Sequence, residues 1–286
     1  MKNIFVTGTS GAQGQTITAV LARAGHRVLG ISRNPESTDD LVDLTRGDLE
    51  NLNSVIEAMD GADAVVLTLP LLFDSDMISA MTRNVVEAAK KLGIKKIIYN
   101  TGIPLGKQKT GYAAIDVKHD ALSVLEQSGL EVVTLMPTIY LDNLTAPFLL
   151  PVIREHGIVP YPLAEDFNFS WISQDNLGRF CLDALTNEAL VGKKVVISNG
   201  DNLAGAELAK ILSEAAKKTL TYVPSSPDDF EQNLKPVLGD YVAKEISNLY
   251  RGIEENHADF LNSDNQTLIE KVELQSTLDW AKQAGF

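Results

Sequence analysis

Three glycines at fixed spacing follow the first apolar run of the chain: Ile4-Phe5-Val6 leads into Gly8-Thr9-Ser10-Gly11-Ala12-Gln13-Gly14. Beyond them Ile17, Val20, Leu21 and Ala24 recur at helical spacing, which places the triplet between a strand and a helix. Each glycine answers a steric demand of that junction. Gly8 lets the chain leave the strand in a tight turn, Gly11 admits backbone close to a pyrophosphate, and Gly14 lets the helix lie against the strand. Free N–H groups and the positive end of the helix dipole then favour an anion at the helix start. We expect a dinucleotide held by Gly8, Thr9, Ser10, Gly11, Ala12, Gln13 and Gly14.

The second apolar run, Val28-Leu29-Gly30-Ile31, ends in Ser32-Arg33. A site for NAD places Asp or Glu near this end to accept from the ribose hydroxyls. A hydroxyl and a cation suit a 2′-phosphate instead, so the expected cofactor is NADP(H), preferred over NAD(H). Glu36, Asp39 and Asp40 dilute the positive field there.

Apolar strands and amphipathic helices alternate through the first half of the chain. A helix is expected over 52–59, a strand over 64–69, a helix over about 76–92, a strand over 95–100, a helix around 116–128 and a strand over 131–136. Right-handed crossovers turn such repeats into a parallel sheet covered on both faces, with ligands beyond the carboxyl ends of the strands. Those ends read Thr7-Gly8, Ser32-Arg33, Gly47-Asp48, Leu69-Pro70, Thr101-Gly102 and Pro137-Thr138-Ile139-Tyr140.

From about residue 150 prolines break the rhythm. A short strand over 167–172, a helix over 175–186 and a last core strand over 195–197 are followed by helices over 206–217, 227–238, 240–255 and 276–284. The predicted fold is therefore α/β, a Rossmann-type doubly wound parallel sheet with a smaller, mostly helical C-terminal cap. Residues 1–150, with about 169–200, form the NAD(P)-binding domain, and 151–168 and 201–286 the substrate-side cap.

Composition narrows the class of function. A net charge of −13 with no basic stripe speaks against a nucleic-acid partner. The chain enters its first strand without a signal segment, and no apolar stretch approaches the roughly 18 residues of a membrane span, so a cytoplasmic protein without a membrane partner is expected. His26, His119, His156 and His257 lack metal-ligand spacing to one another or to the single Cys181, and no metal is expected. Cys181 sits at helical spacing from Leu177, Leu182 and Leu185, as a buried inert thiol would. No Gly-x-Ser-x-Gly elbow appears, which removes the commonest hydrolase reading. Chemistry near the expected nicotinamide falls to Lys118, with Tyr112 before it and Thr101 at a strand end.

These segments together resemble the NmrA-like atypical branch of the short-chain dehydrogenase/reductase family, closest to its NAD(P)H:quinone oxidoreductase-like members. The resemblance is carried by the Thr7–Gly14 turn with Arg33, the lysine helix over 116–125, Met136-Pro137-Thr138-Ile139-Tyr140-Leu141-Asp142-Asn143 and Trp171-Ile172-Ser173-Gln174-Asp175-Asn176-Leu177-Gly178. It extends over nearly the whole chain to Ser276-Thr277-Leu278-Asp279-Trp280, without the Gly-Arg-Pro-Pro usual before that ending. A typical short-chain dehydrogenase carries a tyrosine four residues before its lysine, on one helix face with it. That position is Ala114, while Tyr112 lies six residues away, about 240° round a helix. The resemblance implies Asp48 and Leu49 beside the adenine and Leu69, Pro70, Thr101, Gly102, Lys118 and the 137–140 loop (Pro137, Thr138, Ile139, Tyr140) around the nicotinamide half. It further implies an NADPH-dependent reductase of a quinone or small carbonyl compound in which Lys118, assisted by Tyr112 or Tyr140, supplies charge or a proton. The family also contains regulators that sense NADP(H) without turnover and act through a protein partner, and the shared motifs leave that alternative open. An epimerase-like enzyme is disfavoured by Arg33 and Ala114. Homodimerisation is left open.

Overall fold

The computed structural model describes residues 1–35, 41–255 and 272–286. Its strands in chain order are β1 (Asn3–Val6), β2 (Arg27–Ser32), β3 (Val42–Arg46), β4 (Ala64–Thr68), β5 (Lys96–Asn100), β6 (Glu131–Pro137), β7 (Ile139–Tyr140), β8 (Ile158–Tyr161), β9 (Phe169–Ile172), β10 (Lys194–Ile197), β11 (Asn202–Leu203) and β12 (Thr221–Pro224). The helices are α1 (Ala12–Arg23), α2 (Leu52–Met59), α3 (Ser75–Leu92), α4 (Ala113–Glu126), α5 (Leu150–His156), α6 (Gln174–Ala184), α7 (Gly205–Ala216), α8 (Pro227–Leu238) and α9 (Asp240–Glu255), with a further described helix over Thr277–Gln283.

Seven strands form one parallel sheet in the order β3-β2-β1-β4-β5-β6-β10. Residues of β4 and β5 are buried on both faces, as their unbroken apolar runs require. At the margin, β3 alternates apolar and polar side chains, which is why the sequence shows its end at Gly47-Asp48 more clearly than its body. The direction of strand progression reverses between β1 and β4. Parallel sheets open a crevice at such a switch point, beyond the carboxyl ends of the strands.

Local chemistry sets the helix boundaries. Side chains of Asn51, Asp74, Ser173 and Ser226 accept from first-turn N–H groups of α2, α3, α6 and α8. The helix that carries Lys118 starts at Ala113 rather than near 116, because the Asp116 carboxylate accepts from the N–H groups of Thr110 (2.7 Å) and Gly111 (3.0 Å) and folds the preceding loop back on it.

Past residue 150 the chain holds more strand than its prolines suggest. β8 pairs in parallel with β12, and β9 joins β7 and β11 in a small sheet. One apolar cluster runs without interruption from Phe5 and Tyr99 in the main sheet to Tyr161, Tyr250 and Trp280 on the cap side. On the opposite face of the main sheet Ile4 and Val66 cluster with Ile17 of α1 and with α6, where burial pushes the Cys181 thiol up to about 12. Among the described residues no helix is long and apolar enough to cross a membrane.

Because the cap shares the main core, a fragment of residues 1–200 should expose apolar surface. Size-exclusion chromatography should show it aggregated; a monodisperse, cooperatively melting fragment would contradict the shared core.

Candidate active site

The turn between β1 and α1 is set by two glycines. Gly8 has φ +72°, in the left-handed region. A Cβ on Gly14 would lie 2.1 Å from the Gly8 carbonyl oxygen, so only glycine lets α1 approach the turn this closely. Unlike α2, α3, α6 and α8, α1 has no side-chain cap: Gly11 occupies its N-cap position. The first N–H groups of α1 therefore remain available to an anion.

Hydrogen bonds hold the strand ends around this turn. Thr7 Oγ1 donates to the Thr68 carbonyl (2.7 Å) and accepts from the Thr68 N–H (2.8 Å), tying β1 to β4. The Asn100 amide, at the end of β5, donates to Gln13 Oε1 (2.7 Å) and Thr68 Oγ1 (3.3 Å), and its oxygen accepts from the Gly102 N–H (3.0 Å). A cavity of about 660 Å³ extends from the glycine turn past these ends to α8 and α9.

Among the described residues Lys118 is the only charged one on the cavity wall. No carboxylate among the described residues lies within ion-pair reach of it, and burial pushes its ammonium down from the ordinary value of 10.5 to about 8. Tyr140 also faces the cavity. Among the described residues its buried hydroxyl makes no hydrogen bond of good geometry, although the Asn100 amide acts on it, and burial holds its pKa well above the usual tyrosine value, so it stays protonated. The Thr138 hydroxyl, on the same wall, is likewise buried and unpartnered. Tyr112 is different. As the N-cap residue of α4 it donates its hydroxyl to Glu255 (2.8 Å) and is not part of the cavity wall, so of the two expected tyrosines Tyr140, and not Tyr112, shares that wall with Lys118.

Of the other expected residues, Gly8, Ser10, Gly11, Ala12, Gln13, Gly14, Leu69, Pro70, Thr101, Gly102, Thr138 and Ile139 line the cavity. Thr101 spends its hydroxyl on the carbonyls of Ile103 (2.5 Å) and Leu135 (3.2 Å), fixing the loop rather than offering a donor. Thr9 is buried with its hydroxyl toward the Ile31 carbonyl, and Pro137 ends β6, both outside the cavity wall. Ser32, Arg33, Asp48 and Leu49 lie away from the wall as well, at and after the ends of β2 and β3. Arg33 is exposed there, while Glu36, Asp39, Asp40 and His257 fall outside the described residues.

Several residues escaped the sequence reading. Asn100 is one, although a lone polar group closing the run Ile97-Ile98-Tyr99 marks a strand end. Arg46, which pairs in register with Ser32 on the neighbouring strand, puts a second exposed cation at this edge. The far half of the cavity is walled by Phe73, Phe148, Phe230, Ile246, Leu249 and Ile253, with Asn143, Tyr161 and Tyr250 among them.

The arrangement fits a dinucleotide: an uncapped helix start for phosphate and unpartnered Thr138 and Tyr140 hydroxyls farther along the cavity. A model of the NmrA-like family matches residues 1–282. The chain is 25% identical over 252 residues to an NAD(P)H azoreductase from Xenophilus azovorans, covering 86% of each. Its fold is similar to that of Citrobacter sp. triphenylmethane reductase complexed with NADP(H), with a TM-score of 0.79 at 22% identity over 98% of this chain and 99% of that one. It is equally similar to an Escherichia coli NADPH-dependent quinone oxidoreductase complexed with NADPH, with a TM-score of 0.78 at 22% identity over 98% and 99%.

Two measurements probe this geometry. Gly14→Ala should abolish NADPH binding in calorimetry and lower stability by about 1–3 kcal/mol, since a methyl group there overlaps backbone; unchanged binding would contradict the tight turn. The folded state holds the Lys118 proton less firmly than the unfolded chain does. The resulting penalty is therefore full below about pH 8 and fades as the pH rises from there toward 10.5. Lys118→Met should thus melt no lower than wild type at neutral pH, with any advantage shrinking in alkali, and a lower melting temperature at neutral pH would oppose this reading.

Proposed function

The chain belongs to the NmrA-like family, and we propose that it is an NADPH-dependent reductase of a quinone or small carbonyl compound. One observation carries this reading: a single cavity joins the glycine turn to a lysine without a counter-charge and to an apolar chamber beyond it. Likeness to proteins named azoreductase, triphenylmethane reductase and quinone oxidoreductase supports it.

NADPH, when bound, supplies hydride to the acceptor. The chain's own residues govern what happens at the acceptor oxygen. Charge builds on that oxygen as hydride arrives, and the Lys118 ammonium meets it in a site where burial strengthens the interaction. With its pKa lowered to about 8, Lys118 is also matched to giving up a proton near neutral pH and regaining it from solvent. The Tyr140 hydroxyl adds a neutral donor to the same oxygen. The apolar walls exclude water and favour a flat, uncharged acceptor. At the other end of the cofactor, Arg33 with Ser32, joined by Arg46, would hold the 2′-phosphate.

Purified protein should oxidise NADPH with simple quinones. Lys118→Met should lower kcat/KM about a hundredfold, about 2.7 kcal/mol of transition-state stabilisation, while the protein stays folded. In the wild type, kcat/KM should fall as the pH rises through about 8. Tight NADPH binding without turnover of any quinone, aldehyde or enone would overturn the reductase and leave a cofactor sensor. Arg33→Ala should weaken NADPH binding at least tenfold, on the scale of about 1.5–3 kcal/mol for a charge-assisted hydrogen bond, and leave NADH binding unchanged. Unchanged NADPH affinity would remove Arg33 from the site.

A further inference from the structure

Three residues from separate elements meet on the cap side of the cavity: Asn143 in the 3-10 helix Leu141–Thr145, Tyr161 at the end of β8 and Tyr250 in α9. The Asn143 amide donates to Tyr161 Oη (3.1 Å), and the two tyrosine oxygens lie 2.8 Å apart. Tyr161 is 1% exposed and Tyr250 5%. Edge-to-face packing holds both rings: Tyr250 against Tyr161 at 5.6 Å and Phe230 at 5.3 Å, and Tyr161 against Trp171 at 5.1 Å.

Counting protons shows what this cluster lacks. The pair has two hydroxyl hydrogens and one contact between its oxygens, so only one hydrogen is used there. Asn143 as a donor consumes a lone pair and takes up no hydrogen. If its amide is turned to accept from Tyr161, the NH₂ group becomes the surplus donor instead. In either arrangement one donor on the cavity wall has no acceptor among the described residues. Tyr222 in the same region shows the contrasting structural case, with its buried hydroxyl donating to the Leu163 carbonyl at 2.8 Å. Leaving a buried donor unmade is costly, so packing alone does not account for a cluster with more donors than acceptors.

We propose that Tyr250, oriented by Tyr161 and Asn143, is a specificity-determining donor that selects acceptors carrying a second, uncharged oxygen beyond the one that is reduced, as a quinone does and a simple aldehyde does not. The proposal rests on the reductase reading for the role of the first oxygen. The packing of α9 on α4 brings the two ends together. A Cβ at Gly252 would meet Ile115 Cδ1 at 2.5 Å, and Tyr250 and Lys118 lie within a helical turn of that contact on walls of one cavity. Burial raises the pKa of both tyrosines, that of Tyr250 to about 12, so the pair stays protonated and donates at neutral pH. Among the described residues no cation other than Lys118 lines the cavity, so a carboxylate beside Tyr250 would meet neutral donors and no counter-charge.

The test uses NADP⁺-loaded full-length protein, in which no reduction occurs, titrated calorimetrically with duroquinone and with pentamethylbenzaldehyde. These share a methylated ring and differ in the second carbonyl. Wild type should bind duroquinone about tenfold more tightly, the scale of one hydrogen bond. Tyr250→Phe should erase that preference by weakening duroquinone alone, and Tyr161→Phe, which leaves Tyr250 without its orienting oxygen, should reduce it less. Equal weakening of both ligands, or a Tyr250→Phe protein that keeps the wild-type preference, would overturn the proposal. A parallel assay of NADPH oxidation separates the two claims. Tyr250-dependent discrimination without turnover would uphold this proposal and defeat the reductase, whereas turnover of duroquinone with unchanged KM in Tyr250→Phe would do the reverse.

Discussion

The approach of Gly14 to the Gly8 carbonyl, too close for any Cβ, is the contact on which the site depends. It brings the start of α1 up to the end of β1, the strand beside which the sheet reverses its order. At that point the sheet opens a crevice, and α1 presents backbone N–H groups to it with no side-chain cap to consume them. The hydrogen bonds of Asn100 and Thr7 then tie the adjoining strand ends together along the floor of the cavity.

Electrostatics give the cavity its chemical character. The chain carries a net charge of −13, yet among the described residues the wall of this cavity holds one charged group, and that group is a lysine. Its low pKa comes from burial and not from a neighbouring cation. A charge held in this way interacts strongly with any negative charge that develops nearby, because little water screens it. Around it stand tyrosines whose hydroxyls burial keeps protonated. That combination of one buried ammonium and protonated phenols is what the proposed reduction of a neutral acceptor to an anion would call for.

Much of this was legible in the sequence where the determinants are local. The glycine turn, the alternation of strands and helices through residue 137, and the bounds of α8 and α9 all follow from short-range signals, among them the Ser226-Pro227 start and the Gly239 break. Other features depend on distant partners. The early start of α4 comes from Asp116 capturing the loop before it, and the aim of Tyr112 is decided by Glu255, more than a hundred residues away. The pairing of β8 with β12 joins a stretch that reads as proline-broken loop to a short connection between two expected helices. Asn143, Tyr161 and Tyr250 meet only because three elements converge, so no spacing in the chain announces them. The stripe Ile246, Leu249, Tyr250 and Ile253 marks a buried helix face, but what that face covers is settled by the fold.

The central claim, that one cavity brings NADPH and an acceptor together for hydride transfer, is tested most directly by a single turnover. Protein loaded with NADPH deuterated at the transferred position is mixed rapidly with excess quinone, and the loss of the reduced-nicotinamide absorbance is followed. The account predicts a single exponential decay that is slower with deuterium than with hydrogen. Bound NADPH that stays reduced, or is lost at a rate insensitive to both quinone and deuterium, would contradict it.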